Sequence, residues 1–189
     1  NVGLVGATGC WNSNNSNARA WFNRLPEEIR SKKDIKSWKN IEVTQINESI
    51  FYKLFAYRKA VVYLNGQILK NINFLIHYNP FPNYHLRTNT FMISGKDMCS
   101  LEQPNIKSKM DAYKFESGKK SLTLQIIKMG KKPLIVGKDG IGYEKEMWNK
   151  SRTFWSFDQE NLLVSDNQTM DYQNGTKEKR RFLSLIAWG

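Results

Sequence analysis

The sequence predicts an α+β fold: a small antiparallel β-sheet, built as a hairpin meander, packed with flanking helices. Three observations predict it. Asn65-Gly66 stands between two apolar stretches, the strongest short hairpin signal a sequence carries. Short apolar segments divided by Gly- and Pro-bearing turns fill residues 57–137. No run of alternating strand and helix follows the opening glycines, so a doubly wound parallel sheet is not expected. The 189 residues suffice for one sizeable core. The expected organisation is a glycine segment with helices over 1–40, a sheet with an aromatic-basic helix over 41–160, and a polar loop with a basic end over 161–189.

The first element is a strand over VGLVG, with Gly3, Gly6 and Gly9 spaced three apart. The run Gly6-Ala7-Thr8-Gly9 resembles the start of aspartate-semialdehyde dehydrogenases over about eight residues, where such a turn holds cofactor phosphates. A dinucleotide site requires a helix opening at the third glycine. Cys10-Trp11-Asn12-Ser13 stands there instead, so the glycines are expected to form a turn-rich edge. Ser16 or Asn17 is a candidate cap for a helix through Ala18, Trp21, Phe22 and Leu25, and Pro26 is placed to start a second helix.

The hairpin arms are expected at Ala60–Leu64 and Gln67–His77, the second with Ile68, Ile72, Phe74 and Ile76 on even positions. LRTNTFMIS, MDAYKFESG, SLTLQIIKMG and PLIVG read as further strands, with turns at Glu116–Lys120 and Gly130–Lys132. The stretch KDMCSLEQPNIKSKM reads as loop. From Glu144 the pattern turns helical, with Met147, Trp148, Ser151 and Trp155 near one face. Asp166–Glu178 is polar and turn-rich, and KEKRRFLSLIAW closes the chain as a basic, then apolar segment.

Lys and Arg number 29 against 17 Asp and Glu, a net charge of +12. Such an excess points to a polyanionic partner. Aromatics at 13% and apolar residues at 40% exclude a disordered chain. The apolar runs are too short to cross a bilayer, so no membrane partner is expected. The Asn1 start predicts a segment of a longer polypeptide. Cys10 and Cys99 lack neighbours at metal-ligand spacing, so no structural zinc is expected; one disulfide or two thiols are both consistent. Asn-x-Ser/Thr triplets at Asn14, Asn47, Asn149, Asn167 and Asn174 follow from abundant Asn, and the near absence of cysteine points to the cytoplasm.

Chemistry-bearing constellations are few. His77 and His85 flank a proline loop outside any nucleophile motif and read as structural. Asp97, Asp111, Glu116 and Lys128 are the candidates for a metal-dependent nuclease. The stronger constellation is YEKEMWNKSRTFWSFDQE. Tyr143, Trp148 and Trp155 offer rings for base stacking, Lys150 and Arg152 offer cations for phosphate or base, and Asp158 offers a carboxylate for base N–H donors. The competing interpretation places the tryptophans in the core. A second aromatic-basic stretch, Phe51–Lys59, is a candidate second wall.

The hairpin meander and the Trp148-x-x-x-Arg152 pair resemble the cap-binding region of the L polymerase of bunyavirus-type segmented negative-strand RNA viruses, in general pattern over residues 50–160. The resemblance implies recognition of a methylated mRNA cap, with Trp148 stacking on the base and Arg152 on base or phosphate. Trp155 or Tyr143 would supply the second ring and Asp158 would read the base. It implies no cofactor, no catalysis in this segment, a polymerase as the parent protein, and host cytoplasm as the location. The expected function is therefore RNA recognition, of a cap or a single strand. A nuclease domain and an interaction domain with an acidic partner are the alternatives.

Overall fold

The computed structural model describes residues 1–31, 62 and 65–189. The expected first hairpin arm, but for Val62, and the whole Phe51–Lys59 stretch lie outside the described residues. The chain forms two compact units. One comprises Asn1–Ser13 and His77–Gly189, the other Asn14–Ile76.

The larger unit is α+β. Its sheet has the order β4-β1-β5-β6, from β1 (Val2–Gly6), β4 (Phe91–Ile93), β5 (Lys132–Val136) and β6 (Gly142–Tyr143). Strand β1 pairs antiparallel with β4, Val5 opposite Met92, and parallel with β5, Val5 opposite Leu134. The sheet is thus mixed, not the antiparallel meander expected. The parallel pair joins two apolar strands far apart in sequence, VGLVG and KPLIV, where hairpin reasoning does not reach. A separate antiparallel pair is β2 (Gly9–Cys10) with β3 (His85–Leu86).

The opening glycines serve close packing. A Cβ on Gly3 would lie 2.8 Å from the Lys131 side chain, and one on Gly9 would lie 3.0 Å from the His85 carbonyl oxygen. Strand β2, not a helix, begins at Gly9, so the turn lacks the helix N-terminus a pyrophosphate needs.

Two expected strands are helices. MDAYKFESG lies in α4 (Lys109–Ser117), and SLTLQIIKMG contains α5 (Leu122–Lys128). Ser108 and Asp111 close a reciprocal capping box, and the Ser121 hydroxyl accepts the Leu124 N–H. Leu122 and Ile126, one turn apart, are buried; helical spacing, not alternation, governs that face. The stretch expected as loop contains α3 (Gly95–Ser100), capped by Ser94. The polar stretch after Asp166 forms α6 (Asn167–Gln173), again with a capping box, and the chain closes as α7 (Lys177–Trp188).

The main core joins Leu4, Leu86, Leu101, Leu122, Ile126, Ile135 and Trp148. A smaller cluster joins Cys10, Phe154 and Ala187.

In the other unit, α1 (Asn14–Ser31) runs on through Pro26, where a second helix was expected to start. Residues 65–77 form α2, not a hairpin arm, and all but its last residue, His77, belong to this unit. Its burial recurs at Ile68, Asn71 and Leu75, a helical period. Asn15 donates to the Leu75 carbonyl at 3.0 Å and accepts from Arg19 Nε at 2.9 Å.

Candidate functional site

Strand β5 leads into the turn Gly137-Lys138-Asp139-Gly140. Gly140 has φ 70°, a left-handed conformation that glycine adopts without strain. Its N–H bonds to the Gly137 carbonyl at 3.1 Å. The side chain of Asn161 presses against this turn so closely that a Cβ on Gly137 would lie 2.4 Å from it. Buried Asn161 bonds five ways: Nδ2 donates to the Ser151 carbonyl and to Asp139 Oδ2, Oδ1 accepts the Asp139 N–H, its carbonyl accepts the Lys138 N–H, and its own N–H donates to the Arg152 carbonyl. One amide therefore pins the β5–β6 turn to the loop after the 3₁₀ helix Lys145–Lys150.

That loop is conformationally costly. Arg152, Trp155, Phe157 and Gln159 all have φ between 42° and 57°, where side chains other than glycine are strained. Buried Gln159 helps hold it, accepting the Trp155 N–H at 3.0 Å and donating to the Thr169 carbonyl at 2.9 Å.

Turn and loop together enclose an open hollow of about 620 Å³, lined in part by Lys138, Asp139, Tyr143, Lys150, Arg152 and Glu160. The Ile141 amide, with Tyr143 and Asn161, holds the Asp139 carboxyl below its usual range, against an opposing effect of burial. Its two oxygens accept from Ile141 N at 3.0 Å, the Tyr143 hydroxyl at 2.8 Å and Asn161 at 2.9 Å. That bond to Asp139 pushes the Tyr143 phenol up. Arg152 Nη1 reaches Glu160 at 2.8 Å, and its guanidinium stands 4.9 Å from the centre of the Phe157 ring. Phe157 is 60% exposed. Lys138 and Lys150 meet no carboxylate among the described residues. The lining holds three cations against two carboxylates, one of them saturated by donors, which suits an anion.

Of the expected site residues, the hollow gathers Tyr143, Lys150 and Arg152. Trp148 is not available to a ligand. It is 0% exposed, its Nε1 donates to the Tyr143 carbonyl at 3.0 Å, and Tyr84 packs edge-on against it. Nor do Trp148 and Arg152 share a helix face, because the 3₁₀ helix ends at Lys150 and Arg152 is left-handed. Half-buried Trp155 is stacked on Phe154 at 4.5 Å and donates to the Gln168 carbonyl. Asp158, 85% exposed at its side chain, pairs with Arg180 of α7 at 2.6 Å and does not line the hollow.

Lys138, Asp139 and Asn161 were missed. The only local signal was the Gly-Lys-Asp-Gly turn; Asn161 comes to Asp139 across 22 positions. The nuclease candidates are separately committed. Asp97 pairs with Lys131, Asp111 caps α4, and Glu116 accepts the Thr88 N–H and hydroxyl. Among the described residues, no group of three or more His, Cys, Asp or Glu is gathered as a metal would require.

His85 faces Cys10, Nε2 to Sγ 3.5 Å, both sealed from solvent. Both cysteines are free thiols. Burial disfavours a charged imidazole, but the Cys10 sulfur and the Asn83 carbonyl push His85 up to about 9. No helix among the described residues is long and apolar enough to cross a membrane. No family model, no curated protein and no solved structure matches the chain.

Proposed function

We propose that this chain is an RNA-recognition segment of a larger, polymerase-like polypeptide acting in the cytoplasm. It holds single-stranded RNA through the Tyr143–Arg152 hollow. The observation that carries the reading is the pair of ammonium groups, Lys138 and Lys150, in ion-pair contact with no carboxylate among the described residues and lining one hollow. A phosphate there gains charge-assisted hydrogen bonds without breaking an existing ion pair. Outside the lining but against its Arg152, the exposed Phe157 ring supplies a platform for a base, worth about 1–3 kcal/mol per stacked base. Binding of a methylated cap is the narrower form of the same reading. With Trp148 enclosed, its stacking ring is Phe157 or Tyr143.

The test is fluorescence polarisation with labelled oligouridylate, capped or uncapped, against the chain and its Lys138→Gln, Lys150→Gln and Phe157→Ala variants. The expected result is binding that each variant weakens. A methylated cap that binds tighter than the unmethylated one supports the narrower form. Absence of binding at low salt, or variants that bind as the parent does, overturns the proposal.

A further inference from the structure

The larger unit has a second hollow, of about 340 Å³, sharing no lining residue with the first. Its walls include His77, Glu102, Lys114, Phe115, Lys119 and Lys120. The Lys120 ammonium reaches both Glu102 oxygens, at 2.8 and 3.1 Å, so the only carboxylate of the lining is occupied. Lys114 is half-buried, and neither it nor Lys119 meets a carboxylate among the described residues. The carboxylate that feels Lys114 through space, Asp111, is committed to the Ser108 cap and does not line the hollow.

The backbone builds this arrangement. The Gly118 N–H bonds to the Lys114 carbonyl at 2.9 Å, and a Cβ on Gly118 would lie 2.5 Å from that oxygen. Only glycine permits so tight an exit from α4. The Lys119 N–H then donates to the His77 carbonyl at 2.8 Å, fixing the imidazole-bearing residue to the lysine turn. Burial and the fields of Lys114 and Lys119 lower the basicity of His77, with Lys120 neutralised by Glu102 nearby. Phe115 packs against the core and also lines the hollow, beside Pro104. Two cations in contact with no carboxylate among the described residues, a polar imidazole and an apolar wall thus converge in a volume within the range of small-ligand sites.

We infer that this hollow binds the terminal phosphate monoester of a nucleotide, with Lys114 and Lys119 on the phosphate, His77 beside it and Phe115 against the sugar or base. A free nucleotide and the 5′-phosphorylated end of an RNA share this chemistry. The inference uses none of the residues of the first hollow, so it stands or falls separately from the proposed function.

A phosphate dianion beside the imidazole favours its protonated form and raises its midpoint. The experiment follows the His77 ring protons by NMR across pH in the full chain. The additions are adenosine 5′-monophosphate, adenosine, and an oligonucleotide with a 5′-phosphate or a 5′-hydroxyl. The nucleotide is expected to raise the His77 midpoint and adenosine to leave it in place. Lys114→Gln and Lys119→Gln are each expected to weaken the nucleotide by about tenfold, the loss of one charge-assisted contact. In nucleotide-free protein each is expected to raise the His77 midpoint part of the way to its ordinary value, and a dispersed amide spectrum like the parent's shows that the variant is folded. Lys177→Gln, on the exposed start of α7 and in neither lining, is expected to bind the nucleotide unchanged. A response to the 5′-phosphorylated oligonucleotide but not its 5′-hydroxyl form extends the inference to RNA ends; a response to the mononucleotide alone confines it to free nucleotides. The inference is overturned if adenosine acts as strongly as its monophosphate, if His77 does not respond to the nucleotide, or if both lysine variants bind it as the parent does.

Discussion

Cys10 and His85, 75 positions apart, are brought into contact by the β2–β3 register. Burial raises a thiol, but the adjacent imidazole lowers Cys10 from 9.0, while His85 rises to about 9. The signs follow from linkage. The share of His85 is complete below 6.5 and is lost as pH rises through about 9. The share of Cys10 is complete above 9.0 and is lost as pH falls through its lowered value. The two slopes have opposite signs, so where the windows overlap each offsets part of the other. Cys10→Ala removes the largest influence raising His85, whose midpoint is expected to fall well below 9 when its ring protons are titrated by NMR. Trp148 poses the other residue-scale question. An indole beside a cation reads equally as a core residue or a stacking platform, and sequence spacing does not separate the two. Its full burial does, and Trp148→Ala is expected to cost about 3–5 kcal/mol in denaturant unfolding. Lys150→Gln, on the surface, is expected to stay within about 0.5 kcal/mol.

Among elements, the β1 and β5 strands and the turn at Gly130 were legible, because continuous apolar runs bounded by glycines have few other uses. Helices α4 and α5 were not, because Leu122, Leu124 and Ile126 satisfy a period of two while Leu122 and Ile126 also satisfy one helical turn. The caps were the better guide: Ser108 with Asp111, and Ser121, stand where helix starts need them. Thr169 and Thr176, which complete two of the Asn-x-Thr triplets, act in helix caps as well. The strained loop had no local signal, since its hold comes partly from Asn161 beyond it and from the bond of Gln159 to the Thr169 carbonyl in α6. Gly137 tests that hold. A methyl group there meets the Asn161 side chain, so Gly137→Ala is expected to destabilise the larger unit by about 1–3 kcal/mol. Amide exchange is expected to accelerate first at Asp139 and Ile141, whose N–H groups depend on the same turn.

For the whole molecule, the charge of +12 admits two explanations that composition alone leaves equal. A diffuse excess attracts any polyanion, and every lysine then contributes alike. A focused excess acts through the few cations that lack internal partners and face a hollow. Many of the described charges are already spent internally: Lys131 on Asp97, Lys132 on Glu144, Lys179 on Asp171, Arg87 on Asp166. Lys138 and Lys150 are not. Each phosphate neutralised on a single strand contributes about −0.7 to the slope of log affinity against log salt. If the hollow is the contact, Lys138→Gln and Lys150→Gln are each expected to flatten that slope by about 0.7. Lys177→Gln, an exposed cation on α7 with the same formal charge change, is expected to leave it unchanged. Equal flattening by all three is the signature of diffuse attraction and would remove the hollow from the account. A loss confined to Lys138 and Lys150 ties the charge excess to the turn that Asn161 holds in place.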